Sequence, residues 1–239
     1  MQRSRTAAVC GWLGALGVFA AVLGPVLIHA GAVTPLAGFR SFFVPGLLLG
    51  VIALLLSPFA FRATRASAAR SGRGLAWLGF ACGALLAGVI AAQVRGGAGA
   101  PAVNDVSTDL ADPPAFTSDP AGRGRDMGYP ADFVPLVRRA HPDLATIRVA
   151  SGPAAALAHA GETAKALGWE VVAVDARAGT LLARDTTRFF RFVDDVIVRV
   201  RLADGGGSLV DVRSKSRDGR GITGLNAARI RAFAAKLSR

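Results

Sequence analysis

The sequence predicts an α-helical membrane region followed by an α+β soluble domain, the latter an antiparallel sheet of about five strands with helices on one face. Three observations predict it. The first 104 residues contain no acidic side chain, and all 16 acids lie at or after Asp105. The acid-free part holds three long apolar runs, each of about 20 residues, enough to cross a hydrocarbon core of roughly 30 Å as a helix. The remainder alternates short strand-like runs with glycine-marked turns and three helical stretches.

The apolar runs cover residues 9–31, 41–61 and 75–94, and none contains Asp, Glu, Lys or Arg. Flanking cations set an expected orientation. Arg3 and Arg5 precede the first run, and Arg62, Arg65, Arg70 and Arg73 fill the connection between the second and third. The connection between the first two has only Arg40. The positive-inside rule therefore places the N-terminus and the second connection in the cytoplasm. Residues after about 95 are then extracytoplasmic, although Arg95 opposes this. Ala30-Gly31-Ala32 resembles a leader cleavage site, but the preceding apolar run is longer than a leader core. Gly46 and Gly50, and Gly79, Gly83 and Ala87, recur at four-residue spacing; this would let helices approach closely, or it reflects only how common Gly and Ala are in this chain. His29 reads as a solvated end residue of the first run. No charge lies at mid-membrane, which argues against ion- or proton-coupled transport.

The net charge of +12 has a plain cause, since eight of the 28 basic residues flank the apolar runs. The remaining positive excess is thinly spread, which argues against nucleic-acid binding. Cys10 and Cys82 both fall inside apolar runs. The soluble part therefore holds no disulfide and no thiolate metal site, and neither a metal nor a cofactor is expected there.

Residues 96–103 read as a flexible tether. Residues 104–130, rich in Asp, Pro, Gly and Ala, read as an extended arm without regular structure. A short helix is expected over 131–140, a strand over 146–150, and a helix over 153–167 with Pro153 in its first turn and Gly168 at its end. Four strands follow over 169–176, 179–186, 189–202 and 208–217, then a helix over 223–237. Short connections imply an antiparallel meander covered by its helices.

Side chains alternate faces along a strand. Phe190, Phe192, Asp194, Val196, Val198, Val200 and Leu202 share one face of the long strand, and Arg191, Asp195, Arg199 and Arg201 share the other. In the last strand Val210, Val212, Ser214 and Ser216 oppose Asp211, Arg213, Lys215 and Arg217. Folding the pair about Gly205–Gly207 sets Asp195 opposite Lys215 or Arg217, a cross-strand ion pair on a wet face. Asp194 joins Ser214 and Ser216 on the apolar face, near Asn226 on the core-facing stripe of the last helix. Two readings stand. One is a latch tying strand to helix, since buried polar groups must be hydrogen-bonded. The other is a site with Asp194 as general base or ligand acceptor and Arg217 or Arg220 as anion binder, lined by Ser214, Ser216 and Asn226.

The string FRFVDDVIVRVRLADGGGSLVDVRSKSRDGRGITGLNAARIRAF, with NDVSTDLADPPAF upstream, closely resembles the bacterial domain of unknown function numbered fourteen ninety-nine. The resemblance covers about residues 104–237 and rests on several separated motifs in order. It implies an uncharacterised domain frequently attached to the bacterial envelope; together with the three apolar runs and their flanking charges, the expectation is a multi-pass protein of the bacterial inner (cytoplasmic) membrane with a periplasmic or otherwise extracytoplasmic domain. The family's aspartate pair falls on Asp194 and Asp195, its RSxSR run on Arg213, Ser214, Ser216 and Arg217, and its Asn-x-x-Arg-Ile helix on Asn226, Arg229 and Ile230. Asp195, Arg213 and Arg229 take structural roles in this reading. Where relatives have Ser-Asp-Leu-Gly, this chain has Ile222-Thr223-Gly224, without the acid.

No Gly-x-Ser-x-Gly elbow, P-loop or HExxH is present. His141 and His159 lack zinc-site spacing, His159 reads as exposed, and Asp105, Asp109 and Asp112 do not fit a calcium loop. The leading expectation is a membrane-anchored, non-catalytic domain that binds an envelope protein, a lipid or a small ligand. The alternatives are a hydrolase-like enzyme using Asp194, and a structural subunit of an envelope complex.

Overall fold

The computed structural model describes residues 2–65, 70–97, 101–117, 119–219 and 224–239. The chain divides into two compact units. One comprises Met1–Gly96 with Arg188–Arg191, the other Gly97–Thr187 with Phe192–Arg239.

The first unit opens with a two-residue strand, β1 (Gln2–Arg3), and then α1 (Arg5–His29). Ser4 caps α1 by accepting from the Ala7 amide. A single turn, α2 (Pro35–Gly38), runs through a π-helical stretch, Phe39–Phe43, into α3 (Val44–Ala63). Strand β2 (Arg70–Ser71) pairs in parallel with β1, and α4 covers Arg73–Gly97. Three helical segments, Arg5–His29, Pro35–Ala63 and Arg73–Ala92, are long and apolar enough to cross a membrane. The last helix runs past the end expected for it and consumes part of the expected tether. Residues 98–100 of that tether lie outside the described residues.

The spaced glycines are where these helices meet. A Cβ on Gly46 would stand 2.6 Å from Gly17 O, and one on Gly83 would stand 2.6 Å from Gly50 O. Backbone thus meets backbone, an approach only glycine permits.

The second unit contains β3 (Asp105–Ser107), α5 (Phe133–Ala140), β4 (Ile147–Val149), α6 (Pro153–Ala166), β5 (Glu170–Asp175), β6 (Thr180–Thr186), β7 (Val193–Leu202), β8 (Ser208–Ser216) and α7 (Leu225–Leu237). The strand order is β3-β8-β7-β6-β5, with β4 also paired to β8, and every pairing is antiparallel. The β7–β8 hairpin turns on Gly205, Gly206 and Gly207, all with positive φ, a conformation that costs glycine least.

One face of the sheet carries the core. Leu181, Ala183, Val196, Val198, Val200, Val210 and Val212 pack against Leu157, Ala160 and Ala164 of α6 and Ile230, Phe233 and Leu237 of α7. Trp169 stacks on Phe233 with ring centroids 5.3 Å apart.

Three expectations need correction. The arm is not wholly irregular, because Asp105–Ser107 adds an edge strand to β8. The long strand starts at Val193 rather than residue 189, since residues 188–190 form a turn and Arg191 has φ +52°. Phe190 and Phe192 therefore do not extend the apolar face of β7. Finally, the face carrying Asp195 is not wet. The arm of residues 105–130 lies over it, and Asp195 is 0% exposed.

Candidate functional site

The strand register brings together the residues singled out on the helix-covered face. Asp194 pairs with Ser216, and Val196 with Ser214. Asp185 of β6 pairs with Asp194 from the other side, so two carboxylates and two hydroxyls line up beneath α7. From α7, Arg229 reaches down between them. It donates through Nη2 to Asp194 Oδ2 at 2.6 Å, through Nε to Asp185 Oδ2 at 2.6 Å, and through Nη1 to Ser214 Oγ at 3.0 Å. The same Nη1 donates to Asn226 Oδ1 at 2.7 Å. Ser214 Oγ also donates to Asn226 Oδ1 at 2.8 Å. Asn226 Nδ2 donates to Ser216 Oγ at 3.1 Å and to the Asn104 carbonyl at 3.2 Å. Asp194 and Asn226 are therefore joined through Arg229.

This is a closed circuit of donors and acceptors. Burying an arginine and a carboxylate is costly unless both are paired and hydrogen-bonded, and here both are. The Ser214 proton is directed at an amide carbonyl rather than at a base, so this serine is not set up as an activated nucleophile.

The opposite face of the sheet carries more charge. Arg213, 1% exposed, donates through Nε and Nη2 to the two oxygens of Asp105 at 2.9 and 2.7 Å. It also donates to the carbonyls of Pro114, Met127 and Gly128. Its guanidinium lies 5.0 Å from the Phe116 ring centroid and 5.2 Å from that of Tyr129, within cation–π range. Lys215 adds a third contact to Asp105 at 2.9 Å. Burial, followed by the Asp105 charge, pushes the Tyr129 phenol well above its ordinary value.

Towards one end of that face, Asp195 receives Arg217 through Nε and Nη2 and Arg125 through Nη2. Arg125 also grips Asp119, whose carboxyl is held below the usual range first by that guanidinium and then by backbone amides. Towards the other end, Asp211 accepts from Arg199, Arg201, Thr146 and Thr108. Both arginines also reach Asp109 and Asp112. Burial works to raise the Asp109 carboxyl, but the amides of Asp112 and Ala111 and the Arg201 guanidinium outweigh it and hold it low.

Six carboxylates (Asp105, Asp109, Asp112, Asp119, Asp195, Asp211) thus face six cations (Arg125, Arg199, Arg201, Arg213, Lys215, Arg217) across the seam between sheet and arm. Of the expected anion binders, Arg217 is engaged by Asp195, and Arg220 lies outside the described residues. Residues 222 and 223 of the variant turn lie outside them as well. Sequence reasoning missed the partners supplied by the arm and by β6: Asp105, Asp119, Arg125 and Asp185. A signal for part of the arm existed, because Asp105, Asp109 and Asp112 have no cations nearby in sequence while β7 and β8 carry cations at alternate positions. Among the described residues no three His, Cys, Asp or Glu side chains converge as a metal-holding group.

A family model described as "Protein of unknown function" (DUF1499) matches residues 105–237. No curated protein matches the chain. The matched segment opens at the first residue of β3 and closes at the last residue of α7, so it coincides with the sheet, its helices and the arm.

Proposed function

The chain belongs to the DUF1499 family, and from that premise we propose a multi-pass membrane protein whose extracytoplasmic domain binds an envelope partner, protein or lipid, without catalysing a reaction. One observation carries this reading. The polar groups that could have formed a catalytic centre are bonded to one another, with Arg229 holding Asp194, Asp185, Ser214 and Asn226 at once. A general base must reach its substrate proton within about 3 Å, and Asp194 spends that reach on α7. The hydrolase-like reading would need this circuit to open. The arginine-rich connection between the second and third spans supports placing the domain outside the cytoplasmic membrane.

Native mass spectrometry of the detergent-extracted protein tests the reading, with Asp194→Asn as the diagnostic variant. The wild type should carry a discrete protein or lipid adduct. The variant should lose about 1–3 kcal/mol of stability, because the circuit loses a charge-assisted bond, yet keep the adduct. A variant that melts like the wild type but has lost the adduct would make the cluster a binding site and sink the latch reading.

A further inference from the structure

The segment Arg188-Phe189-Phe190-Arg191 joins β6 to β7 and is not used by the core of the sheet or by either polar network. Its base is closed by Thr187, whose amide donates to the Phe192 carbonyl at 2.8 Å and whose hydroxyl accepts from the Phe192 amide at 2.9 Å. Above that base, Arg191 is held at φ +52°, a region that non-glycine residues occupy only when their surroundings support it. These four residues belong to the compact unit that contains the apolar helices. Within that unit the Phe190 ring meets Phe39 and Phe43 edge-on, with centroids 5.1 and 4.7 Å apart. The Arg188 carbonyl lies 3.1 Å from His29 Nε2. His29 ends the first apolar helix, and Phe39 and Phe43 open the helical segment that leads into the second. The turn therefore sits where apolar helix gives way to connection, the level of a bilayer interface.

Phe189 meets Phe43 and Phe190 edge-on, with centroids 6.4 and 4.8 Å apart, but is less enclosed than Phe190. It is 56% exposed and is flanked by two exposed arginines. Among the described residues neither Arg188 nor Arg191 has a carboxylate within salt-bridge distance. An exposed phenylalanine between two such cations is poorly matched to water. It is well matched to a phospholipid surface, where the ring enters the acyl boundary and the guanidiniums meet phosphates.

We propose that the Arg188–Arg191 turn is an interfacial anchor, with Phe189 inserted into the lipid and Arg188 and Arg191 bound to phospholipid phosphates. This does not depend on which side of the membrane the domain occupies.

The test is site-directed spin labelling of the full chain in nanodiscs of phosphatidylethanolamine and phosphatidylglycerol, with Cys10 and Cys82 replaced by alanine. Labels at Phe189→Cys and at Asp204→Cys, in the exposed turn at the opposite end of the hairpin, are compared by collision with oxygen and with a water-soluble nickel chelate. The expected result is a several-fold higher oxygen-to-nickel ratio at position 189. An equal ratio at both positions would place the turn in water and overturn the proposal. So would low collision rates with both reagents at 189, which would place the ring inside protein. Arg188→Cys gives a second label in the same turn should the first variant lose its fold.

Discussion

His141 shows how a residue without a catalytic partner still shapes behaviour. It ends α5, is nearly buried, and its Nδ1 lies 3.3 Å from Arg231 Nη2. Burial first, and the Arg231 charge second, push its pKa below the ordinary value of 6.5. The unfolded chain therefore binds a proton more readily than the folded one. Stability from this group is full above about pH 6.5 and falls as pH drops through the folded value. Denaturant titrations from pH 7.5 down to 5 should show that decline, and His141→Gln should flatten it. An unchanged slope in the variant would assign the decline to other groups. Asp143 acts lower on the scale. Arg231 holds its carboxyl down at about 2, so its contribution is present above about pH 4 and is lost as pH falls through about 2. The sequence made His141 visible only as a residue without zinc spacing. Arg231 lies 90 positions away, and nothing local pairs them.

At the scale of elements, legibility followed periodicity. The two helices on the sheet and the alternation along β7 and β8 were readable, because a 3.6-residue or a two-residue repeat records which side faces the core. Register also followed, from the glycines at 205–207, and it sets Asp195 opposite Lys215, one of the two partners expected. The arm defeated the same method because its order comes from ion pairs to strands about 100 residues away, which leave no periodic trace. Its cover also turned an apparently solvent-facing charge row into a buried one. In the membrane unit, glycine spacing was readable as close approach, and packing decides which glycines matter. A Cβ on Gly83 would stand 2.6 Å from Gly50 O and 2.8 Å from Leu54 N, whereas one on Gly88 would meet nothing within 4 Å. Gly83→Leu should therefore destabilise the detergent-solubilised protein by about 1–3 kcal/mol through overpacking. Gly88→Leu should leave its thermal melting nearly unchanged. Equal effects would show that the helices do not pack through Gly83.

For the whole molecule, the expected orientation rests on charges that flank apolar segments and is open to direct measurement. Alkaline phosphatase fused after Arg95 should be active if the third span exits the cytoplasm, and inactive fusions would reverse the topology. A consequence of another kind follows from the seam between arm and sheet. A ribosome delivers the chain N-terminus first, so Asp105 is made 108 residues before the arginine that neutralises it. Asp109 and Asp112 likewise precede Arg199 by 90 and 87 residues. The arm is the first part of the domain to be synthesised and among the last to be placed. Contacts of such long sequence separation are slow to form, because the loop they close must be ordered first. Closure of this domain therefore waits for its final strand. A chain halted before Arg213 would leave Asp105 with neither of its cationic partners, and the nascent domain stays vulnerable until its final strand emerges.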